Sequence, residues 1–257
     1  MAQLDIKIKV ANTVATILLL GSQGFSYSWW YMRHTIDFGP KDFSIILLSV
    51  LQLLLIGFTI YQYLPSAPKD VYKTISYWYL LVAIINSGVS FLWLFRLDIF
   101  AFVGLLWQWV VLVFIYHRLR DYPPRHGTDH LFLNAPFSIY TAHTFFIVFW
   151  QLFQFRDETK HNQVVHSIVL LIVGFIALHL VDYSHRKDWV YALTTAWILL
   201  GTATILTEAP HTISLIVVGV LISAVARCLI PNTLDSLNRR FGRWSSRLGE
   251  RTPLLGH

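Results

Sequence analysis

Charge is what this chain has least of. Only 13% of its 257 residues are Asp, Glu, Lys or Arg, about half the roughly 25% usual in a soluble globular domain. Mean hydropathy is +0.54. An ordinary soluble enzyme is thereby excluded. So is intrinsic disorder, which needs low hydrophobicity and high net charge. Cysteine is nearly absent too. The single Cys228 allows no internal disulfide and no cysteine-built zinc site. No Gly-rich phosphate loop, nucleophile elbow or HExxH occurs, so no covalent chemistry is expected. What is abundant is apolar: 55% of the residues, with aromatics alone at 16%.

A membrane helix needs roughly 20 mostly apolar residues to cross about 30 Å of hydrocarbon. Eight stretches qualify, at 9–29, 43–64, 71–95, 99–119, 131–155, 164–183, 189–206 and 211–230. The last two are short and are separated only by 207–210, as in a tight helical hairpin. All connections are short, so one transmembrane domain, 1–230, is expected, followed by a tail, 231–257. Lys7 and Lys9 ahead of the first run, with Gly21, Ser22, Gln23 and Gly24 behind it, have the layout of a signal peptide and its cleavage region. The charge distribution works with this first span retained.

Eight spans place both termini on one face. That face holds Lys7, Lys9, Lys69, Lys73, Arg118, Arg120, Arg125, Arg186, Lys187, Arg227, Arg239, Arg240, Arg243, Arg247 and Arg251. The other holds Arg33, Lys41, Arg96, Arg156 and Lys160. The positive-inside rule makes the richer face cytosolic. Net charge is +6, and these positions explain it without nucleic acid.

In the tail, Leu234, Leu237, Phe241, Trp244 and Leu248 form one helical stripe flanked by Arg240, Arg243 and Arg247. Such a basic amphipathic helix lies on a membrane surface, although Gly242 weakens it and a frayed basic tail is the alternative. The end of the chain, Glu250 to Leu254 and Leu255, has the form of an acidic dileucine signal. That is an address of endosomal, lysosomal and vacuolar proteins, read by sorting adaptors; chance is the competing account.

No span carries Lys, Arg, Asp or Glu near its middle, which speaks against a proton relay or ion-coupled pump. Asp182 and Glu208 sit near span ends. Uncharged polar groups are present instead: Gln52, Asn86, Ser87, Ser90, Gln108 and His143. In hydrocarbon each must find a partner. They act either as interhelical glue, worth about 0.6 kcal/mol each, or as pocket groups. Trp29, Trp30, Trp93, Trp150 and Trp189 fall near span ends, as interface anchors do. Trp107, Trp109 and Trp197 fall near mid-membrane, where they either fill core space or line a cavity for a flat apolar ligand.

Eleven histidines raise the question of haem. His166 and His179 share a span, and His130 and His143 have the same spacing. Thirteen residues place each pair about 140° apart around a helix, so neither pair points one way. His117, His126 and His130 gather after the fourth span and either bind a metal weakly or are solvated. No resident cofactor or metal is expected.

Segment 134–143, NAPFSIYTAH, resembles the "PFSIYxxW" stretch in the fifth span of the larger tryptophan-rich sensory proteins, relatives of the TspO/MBR family. Further matches follow in chain order. IYQYLPSAP (60–68) is similar to the end of their second span, NSGVSFLWLF (86–95) to their third, and RKDWVYALTTAWILLG (186–201) to their seventh. The departure is His143, where the family has Trp. The resemblance implies five TspO-like helices followed by three more. It also implies a cavity between helices for a tetrapyrrole- or sterol-like molecule, haem included as a ligand.

The fold expected is therefore all-α and integral to the membrane: eight helices with a TspO-like five-helix core and a cytosolic amphipathic C-terminal helix. The function expected is binding, or also translocation, of a hydrophobic or tetrapyrrole/sterol-like small molecule. The expected pocket residues are Asn86, Trp93, Trp107, Tyr140, His143 and Trp197. Tyr140 and His143 share a helix face, being three apart. The expected partners are lipids, the ligand and sorting adaptors, with a homodimer left open. Three rivals stand: an endolysosomal secondary transporter of a small solute, a non-catalytic assembly protein whose polar residues are only glue, and a haem protein.

Overall fold

A chain with long apolar runs in a bilayer must satisfy its backbone groups internally, which a helix does within each segment. The computed structural model describes residues 5–33, 41–154, 163–182 and 187–249. Among these it is helical throughout, without strands. The helices are α1 (Ile6–Arg33), α2 (Lys41–Tyr61), α3 (Lys69–Leu94) and α4 (Asp98–Arg120). A short turn, α5 (Gly127–Asp129), leads through a π-helical turn, His130–Asn134, into α6 (Ala135–Gln154). Then come α7 (Gln163–Asp182), α8 (Trp189–Ala203) and α9 (Glu208–Gly249).

Each of the eight apolar segments is thus helical. Five helices are long and apolar enough to cross a membrane: α3, α4, the continuous Gly127–Gln151, α7 and the Glu208–Ile230 part of α9. The apolar stretches Ile46–Tyr61 and Trp189–Ala203 are shorter. α1 has the length, with 28 residues, but Asn12, Thr13, Thr16, Ser22 and Gln23 interrupt its apolar surface. The chain is a multi-pass membrane protein on these five spans.

α6 is the central helix. It packs on α2, α4 and α8, and 72% of its span is buried, against 33% for α4, α7 and α9. α3 lies between α1 and α4, and α7, α8 and α9 pack on one another. Contacts along the helices set their directions: α1 runs antiparallel to α2, whereas α7 and α9, whose starts meet at Gln163 and Glu208, run parallel. Gln62 at the end of α2 donates to the Lys9 carbonyl near the start of α1 at 3.3 Å. Arg227 on α9 pairs with Asp182 at the end of α7 at 2.7 Å.

Local chemistry explains the junctions. Pro136 would clash with the carbonyl one turn back in a regular helix. The preceding turn is widened, with the Ala135 N–H reaching the His130 carbonyl five residues earlier, which relieves that clash. Phe132, carried by this turn, sets its ring edge against Gly57 of α2, where a Cβ would come within 2.5 Å of it. The α8–α9 hairpin is tight. Glu208 turns it with φ 55°, and His211 Nδ1 meets the Ala203 carbonyl at 2.8 Å. Helix α9 runs through Pro231 without interruption, so the tail begins as its continuation. The dileucine-like Glu250, Leu254 and Leu255 lie outside the described residues.

Candidate functional site

Four helices bring polar side chains together in the interior. α1 supplies Ser22 and Gln23, α3 supplies Asn86 and Ser90, α4 supplies Gln108 and α6 supplies Tyr140. Asn86 and Ser90 are four apart, so they share a face of α3. Asn86 Nδ2 donates to Ser22 Oγ at 2.7 Å. Gln108 Nε2 donates to Asn86 Oδ1 at 3.1 Å and to the Tyr140 phenol oxygen at 2.7 Å. Tyr140 OH donates to Asn86 Oδ1 at 3.1 Å. Asn86, Gln108 and Tyr140 therefore close a triangle across three helices. Ser90 Oγ reaches the Ser22 carbonyl at 3.3 Å, and Gln23 follows Ser22 on α1 as a buried carboxamide.

The triangle is deeply placed. Gln108 and Tyr140 are each 2% exposed and Gln23 is 8% exposed. Two oxygens at its edge, Gln108 Oε1 and Gln23 Oε1, have no hydrogen-bond partner. A buried acceptor left unpaired costs about 1–3 kcal/mol. Gln108 on α4 and Gln23 on α1 thus bring open acceptors to the interior, as Asn12 and Gln151 do elsewhere.

A second polar seam joins α1, α2 and α3. Thr16 Oγ1 meets Tyr79 OH at 2.8 Å and Thr59 Oγ1 at 2.5 Å, and Asn12 Nδ2 donates to Gln62 Oε1 at 2.9 Å. At the end of the bundle that holds the start of α8, two carboxylates act as latches. Asp129, 3% exposed, accepts from Tyr61 OH at 2.6 Å and from the Arg125 and His126 backbone N–H groups at 3.0 and 3.2 Å. Asp188 caps α8 through Tyr191 N at 3.0 Å and accepts from Tyr116 OH and Ser138 OH, each at 2.7 Å. Both carboxylates have their donors supplied by the fold, and they tie α2 to α5 and α4 and α6 to α8.

Of the six residues expected in the pocket, Asn86 and Tyr140 are brought together. His143 is buried one turn along α6 from Tyr140, 5% exposed, with no hydrogen-bond partner among the described residues. Trp93 is partly buried two turns along α3 from Asn86 and stays outside the bonded group. Trp197 serves elsewhere: its Nε1 donates to the Phe43 carbonyl of α2 at 2.9 Å, and its ring meets the Phe43 ring at 5.1 Å. Trp107 is corrected outright. It is 62% exposed on the outer side of α4, so it cannot line an interior pocket. Trp109, two residues on, turns inward and stacks on Phe145 of α6 at 5.2 Å. Two residues swing a side chain about 200° around a helix, so Trp107 and Trp109 face opposite sides of α4.

Ser22, Gln23 and Gln108 complete the site in place of the tryptophans. Gln108 stood out in the sequence as a carboxamide in an apolar run. Ser22 and Gln23 did not, because Gly21–Gly24 resembles a cleavage region. In the structure that stretch lies inside α1. Among the described residues no three His, Cys, Asp or Glu side chains gather in a way that would hold a metal.

No curated protein and no solved structure matches the chain significantly. The family described as "TSPO-like protein" matches residues 8–230, which takes in every helix from α1 to the membrane-spanning part of α9. The order of the helices, the central NAPFSIYTAH segment in α6 and this match agree: the chain belongs to the TSPO-like protein family.

Proposed function

We propose that this protein binds a hydrophobic small molecule inside the membrane, beside the Asn86–Gln108–Tyr140 triangle. The observation that carries the reading is the convergence of α1, α3, α4 and α6 on buried polar groups whose hydrogen-bonding capacity is not exhausted. Ligand sites are mostly apolar with a few placed polar groups, and membrane-embedded small-molecule binding is what the family suggests. A tetrapyrrole- or sterol-sized guest would lie along the apolar side chains, with His143 within one turn of the triangle.

The same reading extends to topology. All eight helices cross the bilayer, both termini face the cytosol, and the basic tail with Glu250, Leu254 and Leu255 directs the protein to an endosomal, lysosomal or vacuolar membrane. The charge asymmetry between the two faces supports this. The role is binding, without covalent catalysis.

The test is mass spectrometry of small molecules that co-purify with the full chain in gentle detergent. Wild type is compared with Tyr140→Phe and His143→Ala. An apolar compound retained by wild type and depleted in Tyr140→Phe is expected. Identical small-molecule profiles in wild type and both variants would reduce the polar residues to helix glue.

A further inference from the structure

The triangle is short of donors, and that sets the chemistry of what completes it. Gln108 spends its amide N–H groups on Asn86 Oδ1 and on the Tyr140 oxygen. Gln23, 8% exposed, follows Ser22 on α1. Tyr140 has one hydrogen and gives it to Asn86 Oδ1. What remains is Gln108 Oε1 and Gln23 Oε1, both buried, both acceptors and both unpartnered.

An amide can be turned by half a rotation, exchanging donor and acceptor. Here the bonding chain settles its direction. Ser22 has one hydroxyl hydrogen, and it goes to the Leu19 carbonyl at 3.3 Å. Toward Asn86 the serine oxygen therefore accepts, so Asn86 Nδ2 faces Ser22 at 2.7 Å. Asn86 Oδ1 then faces Gln108 and Tyr140, which requires Nε2 of Gln108 on that side and leaves its Oε1 as the open position.

We infer that the ligand of this site presents an uncharged hydrogen-bond donor, a hydroxyl or N–H on an otherwise apolar body, to Gln108 and Gln23. This rests on the binding reading above and adds the sign of the polar group. An acceptor-only head, such as an ether, would meet two oxygens and repel them. A cation is disfavoured because no acidic side chain faces the triangle from α1, α3, α4 or α6: the acids on these helices are Asp70, Asp98 and, at its leading turn, Asp129, all at helix ends.

The test uses the purified full chain in detergent and two photoreactive probes. One is a diazirine-bearing hexadecanol and the other is its methyl ether, alike in apolar body and differing in the donor. Labelled peptides are mapped, and half-saturating concentrations are measured for wild type and for Gln23→Met/Gln108→Met. The alcohol should label α1, α3, α4 or α6 peptides at roughly tenfold lower concentration than the ether, as one hydrogen bond implies. The double variant should lose that preference. Equal labelling of these peptides by both probes in wild type would overturn the donor inference, with water filling the oxygens, yet leave the binding site standing. Tighter labelling by the ether would overturn it as well. Labelling that avoids these peptides altogether would overturn the site itself. The wild-type comparison decides the matter even if the double variant fails to fold.

Discussion

The two halves of this bundle differ in how far their polar side chains bond across helices. Around α7, α8 and α9, hydroxyls fold back onto helix carbonyls. Ser167 donates to Gln163, Thr195 to Tyr191 and Thr202 to Ile198, each four residues back, and Ser214 donates across to the Leu199 carbonyl of α8. Two side-chain pairs link α7 to α9 at the ends of α7, Gln163 with Glu208 and Arg227 with Asp182. Its interior is apolar interlock, with Val217 of α9 set against Gly174 of α7. Around α1, α3, α4 and α6 hydroxyls such as Thr16, Ser87 and Ser90 fold back in the same way, but side chains of different helices also bond to one another in mid-bundle. A family fold needs only the first kind of contact. The second kind is costly to bury and incompletely satisfied, which is the usual mark of a site rather than a scaffold.

Substitutions can break or sharpen this contrast. The largest effect is expected in the scaffold half. Gly174→Leu would drive a side chain into Val217, and overpacking of this kind costs about 1–3 kcal/mol or more. Thermal unfolding in detergent should show the loss, while any compound retained by the folded fraction stays the same. Asn86→Leu comes next. It leaves Ser22, Gln108 and Tyr140 short of partners, at about 1–3 kcal/mol, and should empty the site as well. Equal ligand retention after this change would contradict the contrast. Tyr140→Phe removes a single hydroxyl, worth about 1 kcal/mol in stability, with a larger proportional loss of ligand. Arg227→Ala is the smallest. The Asp182 pair is at the surface, with the Arg227 side chain 68% exposed, so about 0–1 kcal/mol is expected, and added salt should erase even that.

The fold was largely legible. Runs of about 20 apolar residues must be helices in a bilayer, and every such run is one. The α8–α9 hairpin could be read from the four residues between two short runs. Half of the site was legible too, because Asn86, Gln108 and Tyr140 are polar groups in apolar surroundings. Direction was not legible. In a bilayer the lipid-facing side of a helix is as apolar as the buried side, so nothing near Trp107 and Trp109 says which points inward. Ser22 and Gln23 were hidden for a different reason. Small residues flanked by glycines look like a processing site in one dimension and like a close helix contact in three. The latches at Asp129 and Asp188 left a trace that can be used: acids just ahead of apolar runs are helix-start signals, and here they also clamp neighbouring helices.

The central claim is that the triangle holds a guest, and linkage tests it most directly, since a ligand that binds only the folded state raises the melting temperature. Protein stripped of small molecules would be melted with and without its own co-purified extract, for wild type and Tyr140→Phe in parallel. The extract should raise the wild-type melting temperature and leave the variant nearly unmoved. Equal shifts in both proteins, or none in either, would contradict the account.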